Sequence, residues 1–177
     1  MDKDYFSIEN QIIRREKSIL HEKNKRRFKE LLKNSDYNLI PKWHLCKNEI
    51  DLSYLRSHRH IELFDNDCYN LYSIHRDELF RILDQSYSRV FTKSKIWKSH
   101  NEDKIIRVLN DWENDTKLIP PVIILNLSDT KFLIQDGNHR LAVANYFDSK
   151  EIPVIILNSV EDRFLETVKL DKVKKLN

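Results

Sequence analysis

Gly137 is the only glycine in a chain of 177 residues. Average usage would supply roughly a dozen, so every other turn in the chain is made without one. Glycine adopts positive φ without steric cost and lets another group approach the backbone closely. It sits in the stretch Ile134-Gln135-Asp136-Gly137-Asn138-His139-Arg140-Leu141-Ala142. An apolar, strand-like run (residues 132–134) precedes it, and an apolar, helix-like run (residues 141–147) comes after it. This order predicts a strand, a tight turn and a helix. Such a junction aims the helix's first N–H groups outward, where they favour an anion.

The side chains at the turn fit that chemistry. Gly137 and Asn138 offer backbone N–H donors. Arg140 carries a permanent, planar charge matched to phosphate. His139 is able to donate to a phosphate oxygen or to act as acid or base. Asp136 is placed to cap the helix, to hold Mg²⁺ or to pair with Arg140. An arginine in the first helical turn opposes the helix dipole, a small cost that an anion would offset. The plainer reading makes Asp136-Gly137-Asn138 a tight turn and cap, with Arg140 a solvated surface residue. The residues alone leave both readings open.

Around this turn the last third of the chain reads as mixed α and β structure. Pro120-Pro121 stops any helix, and Val122-Ile123-Ile124-Leu125 is a β-branched strand of the buried kind. Ser128 and Asp129 turn the chain into a second strand over residues 131–135, and the helix after the glycine covers residues 140–147. Ile152-Pro153-Val154-Ile155-Ile156-Leu157 is a further buried strand, and Ser159 is the expected cap of a last helix bearing Val160, Phe164, Leu165 and Val168. Upstream, residues 68–74 predict a short strand. Residues 76–90 predict one helix through Leu79, Ile82, Leu83, Tyr87 and Val90, and residues 91–98 a polar connection. Ser99 and Glu102 form a capping-box pattern ahead of a helix with Ile105, Ile106, Leu109 and Trp112 on its core face.

The N-terminal part differs. Residues 4–33 predict a long helix whose broken apolar stripe (Ile8, Ile12, Ile13, Ile19, Leu20, Phe28, Leu31, Leu32) packs on the rest of the chain. Residues 34–42 break it, and residues 49–64 read as another helix. The expected organisation is a helical extension over residues 1–65 and an α/β (α+β) domain over residues 66–177.

Composition narrows the class. Apolar residues make up 40% and charged residues 33%, with a net charge of +3. That describes a soluble chain and does not by itself argue for nucleic acid. No apolar run nears the ~20 residues of a membrane span, and the acidic start MDKDYFSIEN is unlike a secretory signal, so no membrane association is expected. Cys46 and Cys68 have no metal or redox spacing and are expected to be free thiols in a reducing cytoplasm. His44, Cys46, His58 and His60 match no closed zinc framework. Residues 1–34 hold ten Lys or Arg against six Asp or Glu. Arg14, Arg15, Lys25, Arg26 and Arg27 therefore form a candidate DNA-contacting arm, though no aromatic residue interrupts the basic stretch.

The order of these elements resembles the core of the ParB/sulfiredoxin superfamily. The resemblance covers residues 104–157, about a third of the chain. It rests on Ile105-Ile106-Arg107-Val108-Leu109, Pro120-Pro121-Val122, Phe132-Leu133-Ile134-Gln135, Gly137-Asn138-His139-Arg140, Leu141-Ala142-Val143-Ala144 and Ile152-Pro153-Val154, in that order. The Gly-x-x-Arg turn alone would be weak; the ordered set is more specific. The resemblance implies a mixed sheet flanked by helices. It also implies an ATP or CTP triphosphate on Gly137, Asn138, His139 and Arg140. The wording Asp136-Gly137-Asn138-His139-Arg140 is similar to the family's DGQHR regulators.

Departures from the family pattern narrow the reaction. Asn138 stands where sulfiredoxins carry their cysteine, which argues against that chemistry. His139 precedes Arg140 where partition proteins have paired arginines, and only 20 residues lie beyond Leu157, too few for their DNA-binding domain. A kinase of this type needs a carboxylate base near the first strand, and Asp77 and Glu78 are nearest. The leading expectation is a nucleotide-binding protein that transfers or hydrolyses the γ-phosphate with Mg²⁺. Asp136, His139, Asp77 and Glu78 are its chemical groups, and Asp136 its metal ligand. The alternatives are a DNA-associated regulator and an inert interaction module.

Overall fold

A computed structural model of the chain describes residues 7–52, 69–84, 86, 88–126 and 131–176. The fold is mixed α/β, as the sequence predicts. Strands β1 (Tyr69–His75), β2 (Val122–Leu125), β3 (Phe132–Asp136), β4 (Glu151–Leu157) and β5 (Val173–Leu176) form one sheet in the order β3-β2-β4-β1-β5. Among the described strands, β2/β4 is parallel, and β2/β3, β1/β4 and β1/β5 are antiparallel.

Side chains alternate across a strand, and the sheet uses both faces. Tyr72, Ile74, Ile123, Phe132, Ile134, Ile152, Val154 and Ile156 join the main core under the helices. Leu71, Val122 and Ile155 point the other way, against Ile50, Leu52, Ile119 and Leu176. β4 is buried on both faces, which is why its sequence is a continuous apolar run.

Helix α1 (Ile8–Leu31) ends in the main core through Phe28, joined there by Leu39. Leu31 and Leu32 pack against the same core, but the earlier part of the expected stripe does not. Ile8, Ile12, Ile13, Ile19 and Leu20 are exposed. Helix α4 (Glu102–Glu113) is ion-paired with the second half of α1. There Lys25 lies 2.6 Å and Lys29 2.7 Å from Glu102, His21 lies 2.8 Å from Asp103, and Arg27 pairs with Glu113. Lys25 and Arg27 of the expected DNA arm are thus matched to carboxylates of α4. Arg14, Arg15 and Arg26 lie on the exposed surface of α1.

Several local expectations are corrected. The helix expected over residues 76–90 stops early: α2 (Arg76–Ile82) ends as Leu83 turns extended and pairs with Phe132. The Asp84 N–H donates to the Phe132 carbonyl and its carboxylate accepts from the Ser86 N–H at 2.8 Å, before α3 (Ser88–Phe91) begins. Sheet pairing outcompetes helical periodicity here. The cap of α4 is Asn101, whose side chain accepts from the Lys104 N–H at 3.1 Å, and not Ser99. Helix α6 (Asn158–Thr167) leaves β4 directly from Leu157, with no side-chain cap, so Ser159 lies inside it. The connection over residues 91–98 contains a 3₁₀ turn (Lys93–Lys95) and a buried Ile96. Most of the helix expected over residues 49–64 lies outside the described residues, as do His58, His60 and Cys68; a single 3₁₀ turn (Lys47–Glu49) precedes it. Strand β5 has no counterpart among the elements expected from the sequence.

Candidate functional site

The turn forms where β3 ends beside β2. Asp136 is the last residue of β3 and pairs with Val122 at a register shift. Gly137 comes next with φ of 97°, in the left-handed region. It caps α5 (Asn138–Tyr146), and its carbonyl accepts the first helical bond from the Leu141 N–H at 2.9 Å. Glycine is required twice over. An L side chain is strained at this φ, and a Cβ here would stand 2.8 Å from the Cα and 3.0 Å from the Cβ of Pro121. The space beside the glycine is filled by protein, and its role is to seat α5 against the start of β2.

Having no side chain, Gly137 cannot cap the first turn of α5, and that turn contains no acidic residue. The helix itself is held firmly: Leu141, Ala142, Val143, Ala144 and Asn145 are buried, and the Asn145 amide donates to the Val90 carbonyl at 3.0 Å. The N-terminal turn is therefore a rigid platform carrying Asn138, His139 and Arg140, all half-buried.

Asp136 and Arg140 come together. The guanidinium Nη2 donates to Asp136 Oδ2 at 2.6 Å, one helical turn apart. This pairing is one of the three roles that the sequence leaves open to Asp136. It leaves the guanidinium incompletely used, because Arg140 Nε is buried without a hydrogen-bond partner, and so is Asn138 Oδ1. A buried donor or acceptor without a partner costs about 1–3 kcal/mol. One orphan of each kind within three residues is the chemical signature of this site.

His139 meets a residue that the sequence does not single out. Its ring lies edge-on to that of His100, with centroids 5.6 Å apart. His100 immediately precedes Asn101, the cap of α4. The starts of α4 and α5 are therefore close in space, with two imidazoles in contact. The capping pattern near residue 100 does mark a helix start, but nothing in the intervening sequence marks its proximity to His139.

Asp77 and Glu78 lie elsewhere. They come just after β1, three strand positions from β3 and toward the opposite end of the strands: His75 pairs with Glu151 at the start of β4, whereas Asp136 pairs with Val122, which pairs with Ile155 near its end. Asp77 is exposed beside Arg76 and His75. Glu78 is 5% exposed, and both its oxygens are taken. Arg81 donates to them at 2.6 and 2.9 Å, and the Lys169 N–H donates at 2.7 Å. The Arg81 guanidinium in particular holds the Glu78 carboxyl down at about 2. A carboxylate so acidic is poorly matched to general-base work near neutral pH; its contacts are those of a brace between α2 and the end of α6.

His44 is bonded to Glu49 at 3.2 Å, and Cys46 is an exposed free thiol. Among the described residues, no three of the His, Cys, Asp and Glu side chains gather as a metal-binding group, and no helix is long and apolar enough to cross a membrane. No family model, curated protein or solved structure matches the chain.

Proposed function

We propose that the chain binds the phosphates of ATP or CTP at the turn Asp136–Arg140 and, with Mg²⁺, transfers or hydrolyses the terminal phosphoryl group. The observation that carries this reading is the pair of buried, unpartnered atoms, Arg140 Nε and Asn138 Oδ1, beside the uncapped first turn of α5. A phosphate oxygen satisfies the donor and brings negative charge to the positive end of the helix. A ligand hydroxyl or amino group satisfies the acceptor.

The residues present fit the charged group. Arg140 holds an oxygen through Nε while Nη2 keeps its bond to Asp136, which fixes the guanidinium plane. Mg²⁺, which commonly needs only one or two carboxylates alongside substrate phosphates, would take Asp136 and neutralise charge on the terminal phosphate. Arg140 and the first N–H groups of α5 stabilise charge that grows in the transition state. His139, in the first turn of α5, has a side chain able to donate or accept a proton there. Asp77 and Glu78 have no part in this reading.

Isothermal calorimetry of Mg-ATP and Mg-CTP with the native chain and with Arg140→Ala tests it. Binding of one nucleotide, weakened at least tenfold in the variant, is expected. Heat from neither nucleotide with the native chain overturns the reading.

A further inference from the structure

We infer that the groove between α1 and α4 is a second binding site, and that it takes a small organic anion: one acidic group carried on an apolar body. The site is separate from the turn at Gly137 and does not depend on the phosphate reading.

The groove encloses about 360 Å³, within the roughly 300–1,000 Å³ of small-molecule clefts. Lys17, Leu20 and Asn24 line it from α1, and Ile106, Arg107 and Asn110 line it from α4. Residues three, four and seven apart share a helix face, so each helix gives the groove one apolar residue among polar ones. Leu20 is 57% exposed although it lies beside the buried Ile106. An apolar body seated in the groove removes it from water. Asn24 and Asn110 are half-buried and offer amide donors and acceptors.

The charge pattern selects an anion. Elsewhere along this contact the cations of α1 meet carboxylates of α4: Lys25 and Lys29 meet Glu102, Arg27 meets Glu113, and His21 meets Asp103. At the groove the pattern breaks. Lys17 of α1 shares it with another cation, Arg107 of α4. Among the described residues neither forms an ion pair. Asp111 acts on Arg107 from one turn along the same helix and does not line the groove. The carboxylate that does line it is Asp103, which is bonded to His21 at 2.8 Å. With His21 counted as neutral, two cations stand against one carboxylate, an excess of one positive charge. A single acidic group balances that excess. The planar fork of Arg107 suits a carboxylate or sulfonate edge, and Lys17 adds a point charge from the opposite helix.

Anilinonaphthalene sulfonate is the probe, because it joins one permanent anion to an apolar body. Phenylnaphthylamine is its control, with the same rings and no sulfonate. Both are titrated by fluorescence against the full chain, and the histidine ring resonances are followed by NMR. The sulfonate is expected to bind at least tenfold more tightly than the amine and to shift the ring resonances of His21. Lys17→Gln and Arg107→Gln are each expected to weaken it about fivefold, the scale of a partly exposed ion pair, and to leave the amine unchanged. Arg107→Lys, which keeps the charge, is expected to retain most of the affinity, and Arg140→Ala all of it. Equal binding of the two probes overturns the inference. So does binding of the sulfonate that survives both glutamine variants or leaves His21 undisturbed, because the probe is then held elsewhere. Absence of sulfonate binding to the native chain overturns it too, and leaves the phosphate reading of the turn to its own calorimetric test.

Discussion

The backbone of Gly137 rests against Pro121 so closely that a Cβ would lie 2.8 Å from the Pro121 Cα. The contact joins the end of β3 to the entry of β2, and the Pro121 carbonyl in turn accepts from the Ile155 N–H of β4 at 2.9 Å. The position of α5 is thus referenced to the centre of the sheet through one residue pair.

Gly137→Ala should therefore destabilise the fold by about 2–4 kcal/mol. Left-handed φ contributes about 1–2 kcal/mol, and the clash with backbone, which cannot rotate away, supplies the rest. Urea unfolding monitored by circular dichroism measures it. A loss below about 0.5 kcal/mol, the scale of an ordinary surface substitution, would show that the turn relaxes freely and that the contact is unimportant.

Asp136→Asn separates two roles of one carboxylate. The substitution releases Arg140 from a charge-assisted bond. Metal-free sulfate is expected to bind a few-fold tighter, and Mg-ATP at least tenfold weaker, if Asp136 also carries the metal. Both affinities are measurable by calorimetry. Tighter binding of both ligands would leave Asp136 as a partner of Arg140 and nothing more.

Glu78 gives the fold a defined acid limit. Its carboxyl is held near 2, against about 4.5 for an ordinary glutamate, chiefly by Arg81. A carboxylate with a depressed folded value adds stability that is complete above the unfolded value and is lost as pH falls toward the folded one. Glu78→Gln should cost about 1–3 kcal/mol at neutral pH. Its deficit relative to the native chain should shrink between pH 4.5 and 2. Thermal unfolding across that range reads it; a deficit constant with pH would mean that packing, not charge, is lost.

The α1–α4 contact should be electrostatic but modest. Arg27 and Glu113 make two hydrogen bonds at a partly exposed site, and Phe28 supplies the apolar anchor beside them. A double-mutant cycle on Arg27 and Glu113 should give a coupling of about 0.5–1 kcal/mol that fades in molar salt. Phe28→Ala should cost about 3–5 kcal/mol. Equal effects for the two sites would contradict this ranking.

The turn is legible in the sequence because its cause is local. One glycine, an apolar strand before it and an apolar helix after it suffice to predict the junction, and the pairing of Asp136 with Arg140 agrees with their four-residue spacing. β4 is legible for a similar reason, since a strand buried on both faces must be apolar throughout. β5 is not. Its sequence is Val173-Lys174-Lys175-Leu176, and its place is decided by β1. There Lys175 pairs with Tyr72 across the strands and reaches Glu161 at 2.9 Å. Leu83 reads as helical because its apolar side chain fits helical periodicity, while Phe132, 49 residues away, offers it a strand partner.

The sequence by itself determined the left-handed turn at Gly137, the strand and helix that flank it, and a polar cluster at its apex. Those are properties of short segments, fixed by backbone sterics and side-chain period. Only the tertiary structure decided that Pro121 closes around the glycine, that Glu78 braces a distant helix end, and that His100 faces His139. Each is a contact between segments far apart in sequence, set by how the sheet and helices bury their apolar faces, and no local pattern encodes the distance between them.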